Sequence, residues 1–277
     1  MELSRILAPV EFSERCVAAA RYAGSVARHT HAELTLLHVV PQPPEIPPEL
    51  FQERVAVQES TLSQFLADKL KDLPVRRLVV KGDPARKIVQ YAQNERASAI
   101  LMATHGFGPF RHFLIGSNTA KVLHDADCPV WTGVHMEEAP APCFPPQSIL
   151  CAVDLGEQSR RTLDWARGLQ RLTSARLTLL HVSISAPAIA KGPEVQWNVT
   201  VQEAGRQALE RLREDSGADA DLVVESGDPA QVIAAVAHRL PAGLVVIGRG
   251  SASGMFGRLR ANAYAIIRQS PCPVVSV

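Results

Sequence analysis

Leu34-Thr35-Leu36-Leu37-His38-Val39 is an apolar run broken by a single histidine, and it recurs as Leu177-Thr178-Leu179-Leu180-His181-Val182. Working outward, Gly82-Asp83-Pro84-Ala85 returns as Gly227-Asp228-Pro229-Ala230, and Cys128-Pro129-Val130 as Cys272-Pro273-Val274. The offsets are 143, 145 and 144, so order and spacing are kept and the halves differ by small insertions and deletions. A repeat of this length is a whole domain and not a solenoid unit. The 277 residues therefore read as two copies of one domain, residues 1–140 and 141–277, joined through the proline-rich stretch Glu137 to Gln147.

Composition agrees with two packed domains. Apolar residues make up 46% and charged residues 21%, as in a globular chain, and aromatics only 5%, so the core is expected to be aliphatic. Lys plus Arg number 29 against 28 for Asp plus Glu, a net charge of +1. No overall field then draws the chain to nucleic acid or an anionic membrane, and any anion site must be local. The start MELSRILAPV lacks a leader-like apolar core, and no apolar run approaches the ~18 to 20 residues that span a bilayer. A soluble cytoplasmic protein is the expectation. Cys16, Cys128, Cys143, Cys151 and Cys272 are odd in number and contain no CxxC pair, which argues for free thiols and against a disulfide framework or a zinc knuckle. Neither paired histidine ligands nor an EF-hand pattern occurs, so no dedicated metal site is expected; Mg²⁺ carried by a ligand's phosphates is compatible with the chain.

In the first copy, strand and helix patterns alternate. Ile6 to Val10 reads as a strand, followed by Phe12-Ser13-Glu14 as staple, N-cap and first-turn acid of a helix to about His29. Leu34 to Val40 reads as a strand covered on both faces. Phe51, Val55, Leu62, Phe65, Leu66 and Leu70 mark a long amphipathic helix, and Val75 to Val80 a third strand. Asp83-Pro84 is an N-cap with proline at the first helical position. The strands Ala99 to Ala103 and Val130 to Val134 flank a glycine-bearing loop and a helix from about Ser117. Such alternation predicts an α/β fold, each copy a doubly wound five-stranded parallel sheet with right-handed crossovers. In strand order 3-2-1-4-5 the switch point lies between the first and fourth strands, where ligands of open sheets bind. That brings Pro9, Val10 and Glu11 beside Met102, Ala103, Thr104, His105 and Gly106, with His38 and Val39 at the edge.

Gly106 lets backbone approach a ligand, and Gly116-Ser117-Asn118 opens a helix whose free N–H groups make an anion site. Together they form a candidate phosphate cradle, although glycines so placed more often serve turns and caps. The loop is neither a Walker A loop nor a dinucleotide fingerprint. His105 and His112 either contact phosphate or cap the loop. His38 and His181 end apolar strands with no nucleophile at triad spacing, which favours a packing or hydrogen-bonding role.

The set Ile6-Leu7-Ala8-Pro9-Val10-Glu11-Phe12-Ser13, Leu37-His38-Val39, Gly82-Asp83-Pro84, Met102-Ala103-Thr104-His105-Gly106, Gly116-Ser117 and Cys128-Pro129-Val130 resembles a universal stress protein domain. The resemblance covers both halves and implies a tandem protein of adenine-nucleotide α-hydrolase-like sheets. In the family's nucleotide-binding branch the loop runs Gly, two residues, Gly, nine residues, Gly-Ser/Thr. Gly106, Phe107 to Ile115 and Gly116-Ser117 match, while Ala103 replaces the first glycine and adds a methyl beside the ligand. By the same resemblance Glu11 stands where the family has Asp near the adenosine, and Val39 where backbone meets adenine. The resemblance also implies that the last strands, Val130 to Val134 and Val274 to Val277, pair antiparallel across an internal pseudo-twofold axis; a further homodimer is compatible with this.

The second copy departs more. Gly248-Arg249-Gly250 aligns with a loop one residue longer, Asp154 and Val182 keep their positions, and Arg260-Ala261 replaces Gly116-Ser117. A degenerate second site is expected; Arg249, Arg258 and Arg260 either attract an anion as point charges or, the favoured reading, form a solvated basic loop. The implied function is a stress-response protein that binds ATP or AMP in its first half, the second half being structural or regulatory. Two rivals stand beside it, a weak ATP hydrolase, for which no general base stands in the loop, and a nucleotide-free protein-interaction module.

Overall fold

A computed structural model describes residues 2–104, 115–132, 144–183, 193–249 and 258–277, with 193–200 and 258–261 described by backbone alone. The chain divides into two compact units, Glu2–Phe144 and Pro145–Val277.

In the first unit, β1 (Arg5–Pro9), β2 (Glu33–Val40), β3 (Val75–Lys81), β4 (Ala99–Leu101) and β5 (Val130–Thr132) alternate with α1 (Glu14–Thr30), α2 (Pro48–Gln64), α3 (Pro84–Asn94) and α4 (Ser117–Asp125). The strands are parallel in the order β3-β2-β1-β4-β5, so the switch point does fall between β1 and β4. The core is aliphatic as composition predicts: Ile6, Leu7, Leu34, Leu36, Leu37, Ile100 and Leu101 are buried. An aromatic cluster joins it, in which Trp131, Tyr22 and Phe144 meet edge to face with ring centroids 5.9–6.3 Å apart.

Local signals account for the helix starts. Ser13 Oγ accepts the Cys16 N–H (3.2 Å) at the head of α1, and Asp83 Oδ1 accepts the Arg86 N–H (2.9 Å) with Pro84 at the first position of α3. Phe12 adopts a left-handed backbone (φ 69°). Its ring stacks on His38 at 4.5 Å and meets Phe65 edge-on at 5.4 Å, tying the entry of α1 to β2 and to the end of α2.

The long helix expected through Leu70 instead ends at Gln64. Leu66 is left-handed (φ 53°), so Leu70 reaches the core through a series of turns, its side chain packed where Gly24 of α1 has none. The fourth strand ends at Leu101 rather than Ala103, and of the expected Val130 to Val134 the last two residues lie outside the described residues.

The second unit repeats the plan. β6 (Ser148–Val153), β7 (Arg176–Ser183), β8 (Asp221–Ser226), β9 (Leu244–Ile247) and β10 (Val274–Ser276) alternate with α5 (Ser159–Thr173), α6 (Pro193–Ser216), α7 (Pro229–Arg239) and α8 (Arg258–Gln269). Its parallel order is β8-β7-β6-β9-β10, the same topology.

Candidate nucleotide cavity

At the carboxyl end of the first sheet, β1 runs out into Val10 and Glu11. The Val10 N–H donates to Leu37 O (2.9 Å), locking the tail of β1 to that of β2. The Glu11 N–H donates to Cys16 Sγ (3.2 Å), and the Ser13 hydroxyl donates to Glu11 Oε1 (2.9 Å). His38 Nδ1 lies 2.8 Å from Val10 O. A carbonyl can only accept, so Nδ1 carries the hydrogen, and burial lowers the pKa of the ring from its ordinary value. Burial also pushes the Cys16 thiol up to about 11, so at neutral pH it is protonated and unreactive.

Beyond β4, the Thr119 hydroxyl donates to Ala103 O (3.0 Å) and the Gly116 N–H to Thr104 O (2.8 Å). These two bonds tie the residues just after β4 to the head of α4. His105, Gly106 and His112 themselves lie outside the described residues. Gly116 is the N-cap of α4 and has no side chain to occupy the first-turn donors, and Ser117 and Asn118 are exposed. The N–H groups of that turn therefore remain available to an anion, with the helix dipole adding to their pull.

These parts surround a cavity of about 420 Å³. Pro9, Val10, Glu11, Val39, Met102, Ala103, Gly116, Ser117 and Asn118, nine of the eleven positions marked in the sequence, line it. Sequence reasoning missed Cys16, Leu37, Pro41, Pro84, Ile88 and Thr119, while His38, set at the edge of the site in a packing or hydrogen-bonding role, also lines the cavity. Pro84 and Ile88 were within reach, because the repeated Gly-Asp-Pro-Ala motif starts α3 at this edge. Its lining combines apolar side chains, Val39, Pro41, Pro84 and Ile88 among them, with the polar head of α4.

In the second unit, among the described residues, a gap of about 10 Å³, barely one water molecule, lies between the end of β6 and α5. Besides Ala152, Val153, Asp154, Ser159 and Gly248, at the places of Pro9, Val10, Glu11, Cys16 and Ala103, it is bounded by Gln158 and Thr162, whose counterparts Arg15 and Ala19 do not line the first cavity. Asp154 Oδ1 accepts from the Gly156 N–H and the Ser159 hydroxyl, both at 2.9 Å, and so is folded back onto the start of α5. Arg260 and Ala261 fall within the first turn of α8, whereas Gly116 precedes α4; Gly250 lies outside the described residues. His181 Nδ1 meets Val153 O at 3.1 Å, as His38 meets Val10 O.

Among the described residues no group of three or more His, Cys, Asp or Glu is placed to hold a metal, and no helix is long and apolar enough to cross a membrane.

Fold and cavity together define a class, a doubly wound sheet present here in tandem, with a ligand-sized recess at the switch point of the first copy. The model of the Universal stress protein family matches residues 2–132 and again 146–277, and the chain belongs to that family. Universal stress protein MJ0531 of Methanocaldococcus jannaschii is 28% identical over 134 residues, covering 46% of this chain and 79% of that protein. A universal stress protein of Thermus aquaticus is 30% identical over 129 residues, covering 45% and 94%. The crystal structure of a universal stress protein from Archaeoglobus fulgidus superposes with a TM-score of 0.71 at 21% identity, covering 99% of this chain and 96% of that one, which shows the shared fold.

Proposed function

We propose that the first unit binds one adenine nucleotide, ATP or AMP, and that the second unit is a structural or regulatory copy without a nucleotide, in a cytoplasmic stress-response protein. The observation that carries this reading is the pairing of chemistries in one 420 Å³ cavity. Its volume lies in the range of small-molecule sites. The apolar lining of Val39, Pro41, Pro84 and Ile88 suits a heterocycle. In the same cavity the uncapped head of α4 suits phosphates, and Glu11 on the wall offers carboxylate oxygen to sugar hydroxyls. Mg²⁺, where it accompanies the ligand, would be held mainly by phosphate oxygens.

Calorimetric titration of ATP and of AMP into the purified full chain tests the reading. One site per chain is the expected result. Two sites would overturn the assignment of the second unit, and no heat with either nucleotide would favour the interaction module. Phosphate release during a long incubation with ATP would revive the hydrolase.

A further inference from the structure

Ala103 and Gly248 occupy one position of the repeat. In the first unit Ala99 pairs with Ile6, and in the second Leu244 pairs with Ile149, so each lies four residues beyond an equivalent register point. Ala19 and Thr162 also correspond. The left-handed residues Phe12 and Leu155 (φ 69° and 62°) precede α1 and α5 equivalently, and His31 and Ser174 (φ 55° and 57°) close them equivalently. Both Ala19 and Thr162 are 2% exposed.

Gly248 is a glycine for reasons of space, since its φ is not in the left-handed range. A Cβ there would lie 2.8 Å from Thr162 Oγ1, with Gln158 Cβ next at 3.9 Å. That hydroxyl cannot swing aside easily, because it donates to Gln158 O at 3.0 Å in a buried setting. A side chain at this position of the second unit is therefore aimed at α5, the first helix of its unit. In the first unit the corresponding helix residue is Ala19, which is short enough to face a methyl at position 103.

We propose that residues 19 and 103 are a coupled steric pair, and that Ala19 is the positioning residue that lets alanine begin the loop without disturbing the cavity. The methyl, expected from the sequence to crowd the ligand, is directed away from it. The pair matters to the site because Ala103 O holds the Thr119 hydroxyl and Thr104 O holds the Gly116 N–H, so a shift at 103 passes directly to the head of α4. Only the ligand arm of the test depends on the nucleotide reading.

A double-mutant cycle on the full chain tests this, with Ala19→Thr, Ala103→Gly and the two together. Ala19→Thr is expected to lower the thermal midpoint by several degrees and to weaken ATP binding about tenfold, or ~1.4 kcal/mol. Adding Ala103→Gly should recover both, whereas the helix-propensity cost of threonine is common to the two backgrounds and cancels. The mirrored cycle in the second unit stands in if Ala19→Thr does not fold: Gly248→Ala should destabilise beside Thr162 and be tolerated beside Thr162→Ala. Additive effects in the cycles would overturn the pair. Failure of the wild-type chain to bind ATP would overturn the nucleotide reading alone, and the stability cycles would still decide the coupling.

Discussion

The two units share a scaffold and differ at a site. Both turn left-handed after their first strand, at Phe12 and Leu155, both bond a histidine Nδ1–H to the carbonyl that ends that strand, and both start their third helix with an aspartate cap. Gly82 and Gly227 precede those caps at φ 133° and 147°, a backbone that side chains rarely adopt. Yet in the first unit a glycine N-cap leaves the head of α4 open on a cavity of about 420 Å³, whereas the second unit carries Arg260 in the first turn of α8. What recurs in both copies is thereby marked as architecture. What differs, Gly116 against Arg260, Glu11 against Asp154, Ala103 with Ala19 against Gly248 with Thr162, lies where we propose the ligand binds.

The most severe way to break this comparison is to make the first unit resemble the second at its least similar position. Gly116→Arg puts a long side chain at the N-cap of α4, beside the N–H groups that we assign to phosphate. Affinity for ATP should fall at least about a hundredfold, or ~2.7 kcal/mol, in a calorimetric titration. Unchanged affinity would mean that the nucleotide, if bound, sits elsewhere. The effect on global stability should be small by comparison, because Gly116 is only partly buried and its own N–H bond to Thr104 O involves backbone alone.

How much of this was legible in the sequence follows from where each signal lives. The repeat, the parallel order and nine lining positions could be read because strand ends and helix caps carry local marks, such as Ser13, Asp83-Pro84 and Gly116. The end of α2 could not. Leu66 turns left-handed without glycine or proline to announce it, and the apolar spacing through Leu70 imitates a continuing helix. Nor could the sequence say that α3 brings Pro84 and Ile88 to the cavity at the switch point, or that Cys16 of α1 reaches the same wall. Those are questions of side-chain direction, fixed by packing between segments about eighty residues apart.

A sharper comparison, with a smaller effect, uses the caps. Asp83 Oδ1 accepts the Arg86 N–H at 2.9 Å and Asp228 Oδ1 the Gln231 N–H at 3.0 Å, each followed by proline. If the caps are architecture, Asp83→Ala and Asp228→Ala should each cost ~1 kcal/mol in urea unfolding, and by similar amounts. Lys121 Nζ stands 4.0 Å from Asp83, but both groups are exposed and such a pair adds little. A loss confined to Asp83 would show that this cap serves the cavity, which Pro84 lines, more than the helix.

The smallest expected effect concerns the histidines, and it separates structure from ligand binding most finely. His38 lines the cavity, and His181 makes the same carbonyl bond in the second unit, so the bond itself belongs to the scaffold. Burial, and to a lesser degree Arg54, lowers the pKa of His38 below its ordinary 6.5, against the Val10 carbonyl and Glu11, which favour the cation. The unfolded chain therefore takes up the proton more readily. The contribution of the neutral ring is complete above pH 6.5 and is lost as pH falls through the lower folded value. His38→Asn keeps an N–H donor for Val10 O and removes the titration, so it should flatten part of the acid-side decline in urea midpoint while leaving ATP affinity at pH 7 within about twofold, less than ~0.5 kcal/mol. A large loss of affinity with an unchanged pH profile would move His38 from the shared scaffold to the ligand, and with it the boundary drawn between the two copies.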